Sequence, residues 1–413
     1  MQKKVIQGGV LLDGTGNPPV KDAVVVIEGN KITKIGKKGE VKLAQEKNVD
    51  IIEAKGKTIM PGMIDSHVHI YTDGETSGFT SLPINYNELA LAMRSIPRLK
   101  KILEMGITSL RDGGSGWGWL EVALRDAINR GDIVGPRFVT SGYHLTVTGG
   151  HGHFLPPWLA SHKEQCGMHC DGPDEWRKAA RLNIYNGTDN VKVVASRDII
   201  SPGIATASQP TLEELTAAIE EAHKMGKGAI AHAQGPDAIQ KAIKAGANSI
   251  VHGFFLDEKS ADMMVENNVF LESTNLYVKR VMNMGKGELP DWMVEKAIET
   301  WEDKKKNFKM YLDKGIKISF GSDCGVPFLK QGDNALELVM FVELGMSPMA
   351  AIVAATKTAA EAIGYGDKVG TIEEGKFADI IMVDGNPLDD ISILSEVEKI
   401  KMVMKDGNVV ITR

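Results

Sequence analysis

Along the first sixty positions, apolar residues come in short bursts broken by turns, the texture of strands rather than helices. Val5-Ile6, Ala23-Val24-Val25-Val26-Ile27, Lys31-Ile32-Thr33-Lys34-Ile35 and Asp50-Ile51-Ile52 are such runs. Glu28-Gly29-Asn30-Lys31, lying between two of them, predicts a hairpin. The same texture returns from about Gly370 to Arg413, in Ala378–Val383, Lys401–Lys405 and Asn408–Ile411, with Asp406-Gly407 turning between the last two. Between the ends the period changes. Strand-like runs at Ser109–Arg111, Val191–Val194, Gly228–His232, Ser249–His252 and Ile316–Phe320 alternate with helical patterns such as Thr211–Met225. Thr211-Leu212-Glu213-Glu214 reads as a capping box. This alternation, sustained over about 300 residues, predicts a parallel sheet with helical crossovers, closed as a barrel or open. The simplest assembly joins the two β-rich ends in one small domain beside it.

Composition narrows the class. At roughly 150 residues per domain, 413 residues suggest two or three units, and an α/β barrel of about 250 residues fits among them. A formal charge of −6, with no basic stretch to offset it, argues against nucleic acid or an anionic membrane as partner. Lys304-Lys305-Lys306 reads as a solvated helix face. No apolar run reaches the ~18 residues of a membrane span, and Val5-Ile6-Gln7-Gly8-Gly9 lacks the apolar core of a secretory leader. Three cysteines, Cys166, Cys170 and Cys324, fit a reducing compartment rather than a disulfide framework. The expectation is a cytoplasmic enzyme with a small-molecule substrate.

The candidate chemistry starts in Pro61-Gly62-Met63-Ile64-Asp65-Ser66-His67-Val68-His69. Histidines at i and i+2 of a strand share a face, so His67 and His69 could reach one metal ion. Four further residues sit in or at the ends of strand-like runs. Lys192 is flanked by aliphatics, where a lysine is expensive unless it has a task. His232 and His252 each end a run, and Asp323 follows Ile318–Ser322. Ends of this kind are where βα barrels keep their sites.

With these residues the chain resembles the amidohydrolase superfamily, in particular its imidazolonepropionase-like and prolidase-like branch, over essentially its whole length. Pro61–His69 is similar to that family's first-strand motif, and Thr148-Gly149-Gly150-His151-Gly152 to a substrate-site loop of prolidase-like members. Gly375–Ile380 and Asp384–Leu388 are similar to the C-terminal strands that join the N-terminal ones. The resemblance implies an α/β fold: a (β/α)8 TIM-type barrel over 60–365 and a small β-sandwich domain from 1–59 and 366–413. It implies two divalent metal ions, zinc by default. His67, His69 and Asp323 would hold the more buried ion and His232 and His252 the second, with Lys192, N6-carboxylated, bridging them. A hydroxide shared by the ions would attack an amide or peptide carbonyl. Asp323 would carry the proton to the leaving nitrogen. His151 would hold the carbonyl oxygen or a substrate carboxylate, with Tyr143, His144 and Gln234 as further substrate contacts. Relatives of this branch commonly assemble, so a homo-oligomer is expected.

Two departures bear on the substrate. Prolidase-like members often carry a tyrosine two residues after the strand-five histidine, where this chain has Gln234. They tend to show Ser-Gly-Gly after the lysine strand, where this chain has Ser196-Arg197-Asp198, placing charge near the pocket. Deaminases of the superfamily carry a glutamate at the position of Gly235, which favours amide hydrolysis over deamination. Cyclic-amide hydrolysis of imidazolonepropionase or hydantoin type, and carbamate or urea hydrolysis, stay open. So does a catalytically silent binding protein, which should have lost a ligand. Trp117, Trp119, Tyr143, Phe154 and Trp158 predict an aromatic pocket wall or, equally, loop packing. His162–Cys170 is a weak match to a zinc knuckle.

Overall fold

Strand texture at the N-terminus becomes β1 (Lys3–Leu11), β2 (Val20–Glu28), β3 (Lys31–Lys37), β4 (Val49–Glu53) and β5 (Lys57–Pro61) in the computed structural model. It describes residues 3–41, 49–75, 85–114, 116–152, 167–201, 203–284 and 288–413. β2 and β3 form the hairpin turned by Gly29-Asn30, where Gly29 takes φ 62°, a conformation that favours glycine. The centre of β2 is buried throughout. Val25 and Ile27 join one apolar cluster and Val24 and Val26 another, so both faces are covered.

The middle of the chain alternates. β6 (Met63–Val68), α1 (Glu88–Glu104), β7 (Ile107–Asp112), α2 (Leu120–Arg130) and β8 (Arg137–Val139) come first. Then follow β9 (Leu145–Thr146), β10 (Met168–His169), α3 (Pro173–Tyr185), β11 (Asn190–Val194), α4 (Leu212–Lys224), β12 (Gly228–Ala233), α5 (Pro236–Lys244) and β13 (Ser249–His252). α6 (Glu258–Glu266), β14 (Phe270–Ser273), α7 (Asn275–Met284), α8 (Asp291–Asp313) and β15 (Ile318–Phe320) complete the series. β6, β7 and β8 make a three-stranded parallel sheet. A seven-stranded parallel sheet runs β10-β9-β11-β12-β13-β14-β15. Parallel strands under helices are buried on both faces, which is why β11 and β13 read as continuous apolar runs and are buried at every position. A parallel bridge, Val68 to Cys324, links the end of β6 to the segment after β15, and the Asp323 amide donates to the His67 carbonyl at 2.8 Å. Parallel strands with helical crossovers are the content of a TIM-barrel type fold.

After α9 (Leu336–Glu343), α10 (Pro348–Val353) and α11 (Ala359–Ala362) come β16 (Ile380–Asp384), β17 (Ile400–Lys405) and β18 (Asn408–Thr412). β16 pairs antiparallel with β5, so the chain ends share one mixed sheet in the order β18-β17-β16-β5-β1-β2-β3, with β4 on β1. The capping box at α4 forms as read: the Glu214 amide donates to Thr211 Oγ1 at 3.2 Å and the Thr211 amide to Glu214 Oε2 at 2.7 Å. Among the described residues no helix is long and apolar enough to cross a membrane.

Candidate metal centre and active site

Period-two geometry places His67, in β6, and His69, one residue past its end, side by side, with ring centroids 5.3 Å apart. Asp323, just beyond β15, faces both: its Oδ1 is 3.6 Å from His67 Nε2 and 3.3 Å from His69 Nε2. His232 and His252, from β12 and β13, have centroids 4.6 Å apart, and His252 lies 5.8 Å from His67. Lys192, in mid-β11, is 4% exposed. All six line one cavity. His252 and Asp323 have φ of 71° and 60°, a conformation costly for residues other than glycine and typical of functional sites.

Three of the four rings hold one nitrogen against a hydrogen-bonding neighbour. His69 Nδ1 lies 3.0 Å from the Gly114 carbonyl, His252 Nδ1 2.6 Å from Thr274 Oγ1, and His232 Nε2 3.2 Å from the Arg197 carbonyl. His67 Nδ1 lies 3.3 Å from Glu272 Oε2. Such contacts orient metal-binding histidines and leave the second nitrogen for the ion. Burial pushes His67, His232 and His252 well below the ordinary imidazole range, so these rings are neutral, the form that binds metal. Burial opposes charge on Asp323 too, but His69, His67 and Lys192 outweigh it and hold its carboxyl below its ordinary value. A divalent ion fits this donor set: ligand atoms of His67, His69 and Asp323 lie within 4.8 Å of one another, and Asp323 Oδ1 is buried without a hydrogen bond among the described residues. Gly113 makes the room, since a Cβ there would stand 2.6 Å from the His67 ring. A second such group joins His151, Asp198 and His232.

The substrate contacts expected from the sequence divide. His144 and His151 line the cavity, and the His151 ring stacks on His232 with centroids 4.4 Å apart. Tyr143 and Gln234 do not line it. Tyr143 packs edge-on against Trp119, with centroids 5.1 Å apart. Gln234 is fully buried and donates from Nε2 to Asp198 Oδ2 at 2.8 Å, so it acts on the wall rather than forming it. The aromatic wall also comes from residues other than those expected. Tyr71, Phe254 and Tyr277 line the cavity, whereas Trp117 packs behind Tyr71; Phe154 and Trp158 lie outside the described residues. So does Cys166, while Cys170 is a buried thiol 3.6 Å from the Met168 carbonyl.

Three residues at the site were missed. Glu272 could have been found by the reasoning that singled out Lys192, as a charge inside a strand, Phe270-Leu271-Glu272-Ser273. The sequence marks Asp198 only as charge near the pocket. Tyr277 carried no signal, because an aromatic at the start of a helix is usually packing.

Comparison with known proteins extends over the whole chain. Ochratoxinase of Aspergillus niger is 31% identical over 98% of this chain and 85% of its own length. Its crystal structure superposes with a TM-score of 0.90, covering 100% of this chain and 96% of that one at 29% identity. A crystal structure of a Xaa-Pro dipeptidase with bound methionine in the active site is 32% identical, with a TM-score of 0.87 and 99% of each chain covered. Imidazolonepropionase of Thermoplasma volcanium is 22% identical over 95% of this chain and 92% of its own length. Residues 58–410 match the amidohydrolase family, whose members are generally metal-dependent hydrolases, and the chain belongs to that family.

Proposed function

We propose that this chain hydrolyses an amide or peptide C–N bond of a small molecule of dipeptide or N-acyl amino acid type. The observation that carries the reading is the convergence of His67, His69, Lys192, His232, His252 and Asp323 on one cavity. His67, His69 and Asp323 would hold one ion and His232 and His252 a second, with Lys192, if carboxylated, as a ligand available to both. Two divalent ions bound there, zinc by default, would supply an acidified water and a polarised carbonyl. Burial brings the Lys192 amine down to about 8, which enlarges its neutral fraction, the form that adds carbon dioxide. Asp323 takes the proton of the attacking water and returns it to the departing nitrogen. His151 orients the substrate carbonyl or carboxylate. In this reading the parallel strands close into an eight-stranded barrel over 60–365. Residues 1–59 and 366–413 form a small sandwich, and the enzyme works in the cytoplasm as a homo-oligomer.

Cyclic-amide hydrolysis is the second reading, supported by the likeness to imidazolonepropionase. Deamination has less support: a Cβ at Gly235 would stand 2.6 Å from Thr206 Cβ, leaving no room for a proton-carrying side chain. The test is a hydrolysis screen of the protein loaded with zinc and bicarbonate, over dipeptides, N-acyl amino acids, carbamates and cyclic amides, with metal analysis alongside. Turnover of an open-chain amide with two ions per chain is expected. Fewer than one ion per chain would sink the two-ion assignment, and turnover confined to cyclic amides would replace the substrate class.

A further inference from the structure

Tyr277 is the third residue of α7, immediately after β14, and is 4% exposed. Its ring stands in the wall of the cavity that holds the candidate ligands. Its hydroxyl is shut off from solvent and meets no hydrogen-bond partner among the described residues. Buried tyrosine hydroxyls usually find a partner, and a native structure that leaves one unmet calls for an explanation. A ligand in the cavity would supply it. The phenol also keeps its proton, because burial, with the nearby charges of Asp198 and Asp323, pushes its pKa well above the ordinary tyrosine range. A protonated phenol is a hydrogen-bond donor.

Two other side chains at the site are already engaged. Gln234 spends its amide on Asp198, and His151 Nδ1 is 3.2 Å from Ser201 Oγ. Asp198 itself is acceptor-only when ionised and takes the Gln234 amide and the Ile200 backbone amide.

We propose that Tyr277 donates a hydrogen bond to the oxygen of the scissile carbonyl, a catalytic role that rests on the hydrolase reading above. As the water oxygen bonds to the carbonyl carbon, the π pair moves onto the carbonyl oxygen, and the hydrogen bond strengthens with that charge. When the C–N bond breaks, the pair returns to re-form C=O and the nitrogen takes up the proton. Tyr277 lends its hydrogen bond and loses no proton. A donor that strengthens only in the transition state raises kcat more than it lowers KM.

The experiment is Tyr277→Phe, compared with wild type on the fastest substrate of the screen and on the phosphonate analogue of that substrate, whose tetrahedral phosphorus replaces the carbonyl carbon. Loss of one such donor is worth about 100-fold or more in kcat. The expected result is a fall of that order with KM within about threefold, and a parallel weakening of phosphonate binding by titration calorimetry. Ion content should be unchanged and the melting temperature should not fall, because the hydroxyl has no partner to lose among the described residues. An active wild type whose variant keeps kcat within threefold overturns the role of Tyr277 alone. A loss confined to KM, or one that follows lost ions or a lower melting temperature, overturns it as well. A wild type that hydrolyses nothing in the screen overturns the hydrolase reading and this inference with it.

Discussion

Glu272 is fully buried between two basic groups: its Oε1 pairs with Arg111 and its Oε2 lies 3.3 Å from His67 Nδ1. Arg111 is itself 1% exposed and donates to the Ser66 carbonyl at 3.1 Å, which ties the carboxylate to the strand that carries both histidines. A carboxylate behind a metal-binding histidine fixes the ring and raises its basicity, and losing it typically costs about 10–100-fold in metal affinity. Glu272→Gln keeps the shape and removes the charge. The expected outcome is ion affinity about tenfold weaker or more in a chelator competition, with both ions still bound at saturation. Unchanged affinity would reduce Glu272 to a structural partner of Arg111.

On the scale of elements, α3 and α4 are fastened side by side by one carboxylate. Glu221 of α4 is 7% exposed and accepts from Arg177 Nη1 at 2.8 Å and Arg181 Nε at 2.9 Å, both from α3, and from Lys224 Nζ at 3.0 Å. These cations, Arg181 and Lys224 foremost, lower its pKa from 4.5 to about 2. Because the folded value is the depressed one, the stabilisation is complete above the unfolded value and fades as pH falls from about 4.5 through about 2. Glu221→Gln should therefore lower the urea midpoint near neutral pH, and the gap from wild type should narrow by about pH 2. A gap that stays constant across that range would mean the contact acts through packing. The pairing itself is of a kind sequence does reveal only in part: Thr211 and Glu214 announce where α4 begins, whereas the partner of Glu221 is set by how α3 lies against it.

Across the whole molecule, Arg137 connects the parallel strands to the sheet made by the chain ends. It lies in β8, pairs with Asp379, and donates from Nη2 to Asp406 Oδ1 at 2.6 Å in the turn between β17 and β18. Asp379 is 4% exposed, so Arg137→Ala would leave a buried carboxylate without its cation, at a cost of about 3 kcal/mol or more. Urea unfolding should show that loss, and a change below 1 kcal/mol would count against Arg137 as the tie between the two parts. Much else at this scale was readable beforehand. Alternating apolar runs set the strand-helix order, and Glu28–Lys31 and Asp406-Gly407 set the turns, because period and turn chemistry are local properties. β8, β9 and β10 escaped because two or three residues show no period, and β14 because Glu272 and Ser273 interrupt its apolar run. Likewise, sequence alone marked the six residues whose types are out of place in aliphatic strand ends. Only the tertiary structure decided which neighbours stand beside them. It turned Gln234 and Tyr143 away from the cavity wall and brought Asp198, Glu272 and Tyr277 to the site, since contacts between distant segments depend on packing that no local pattern encodes.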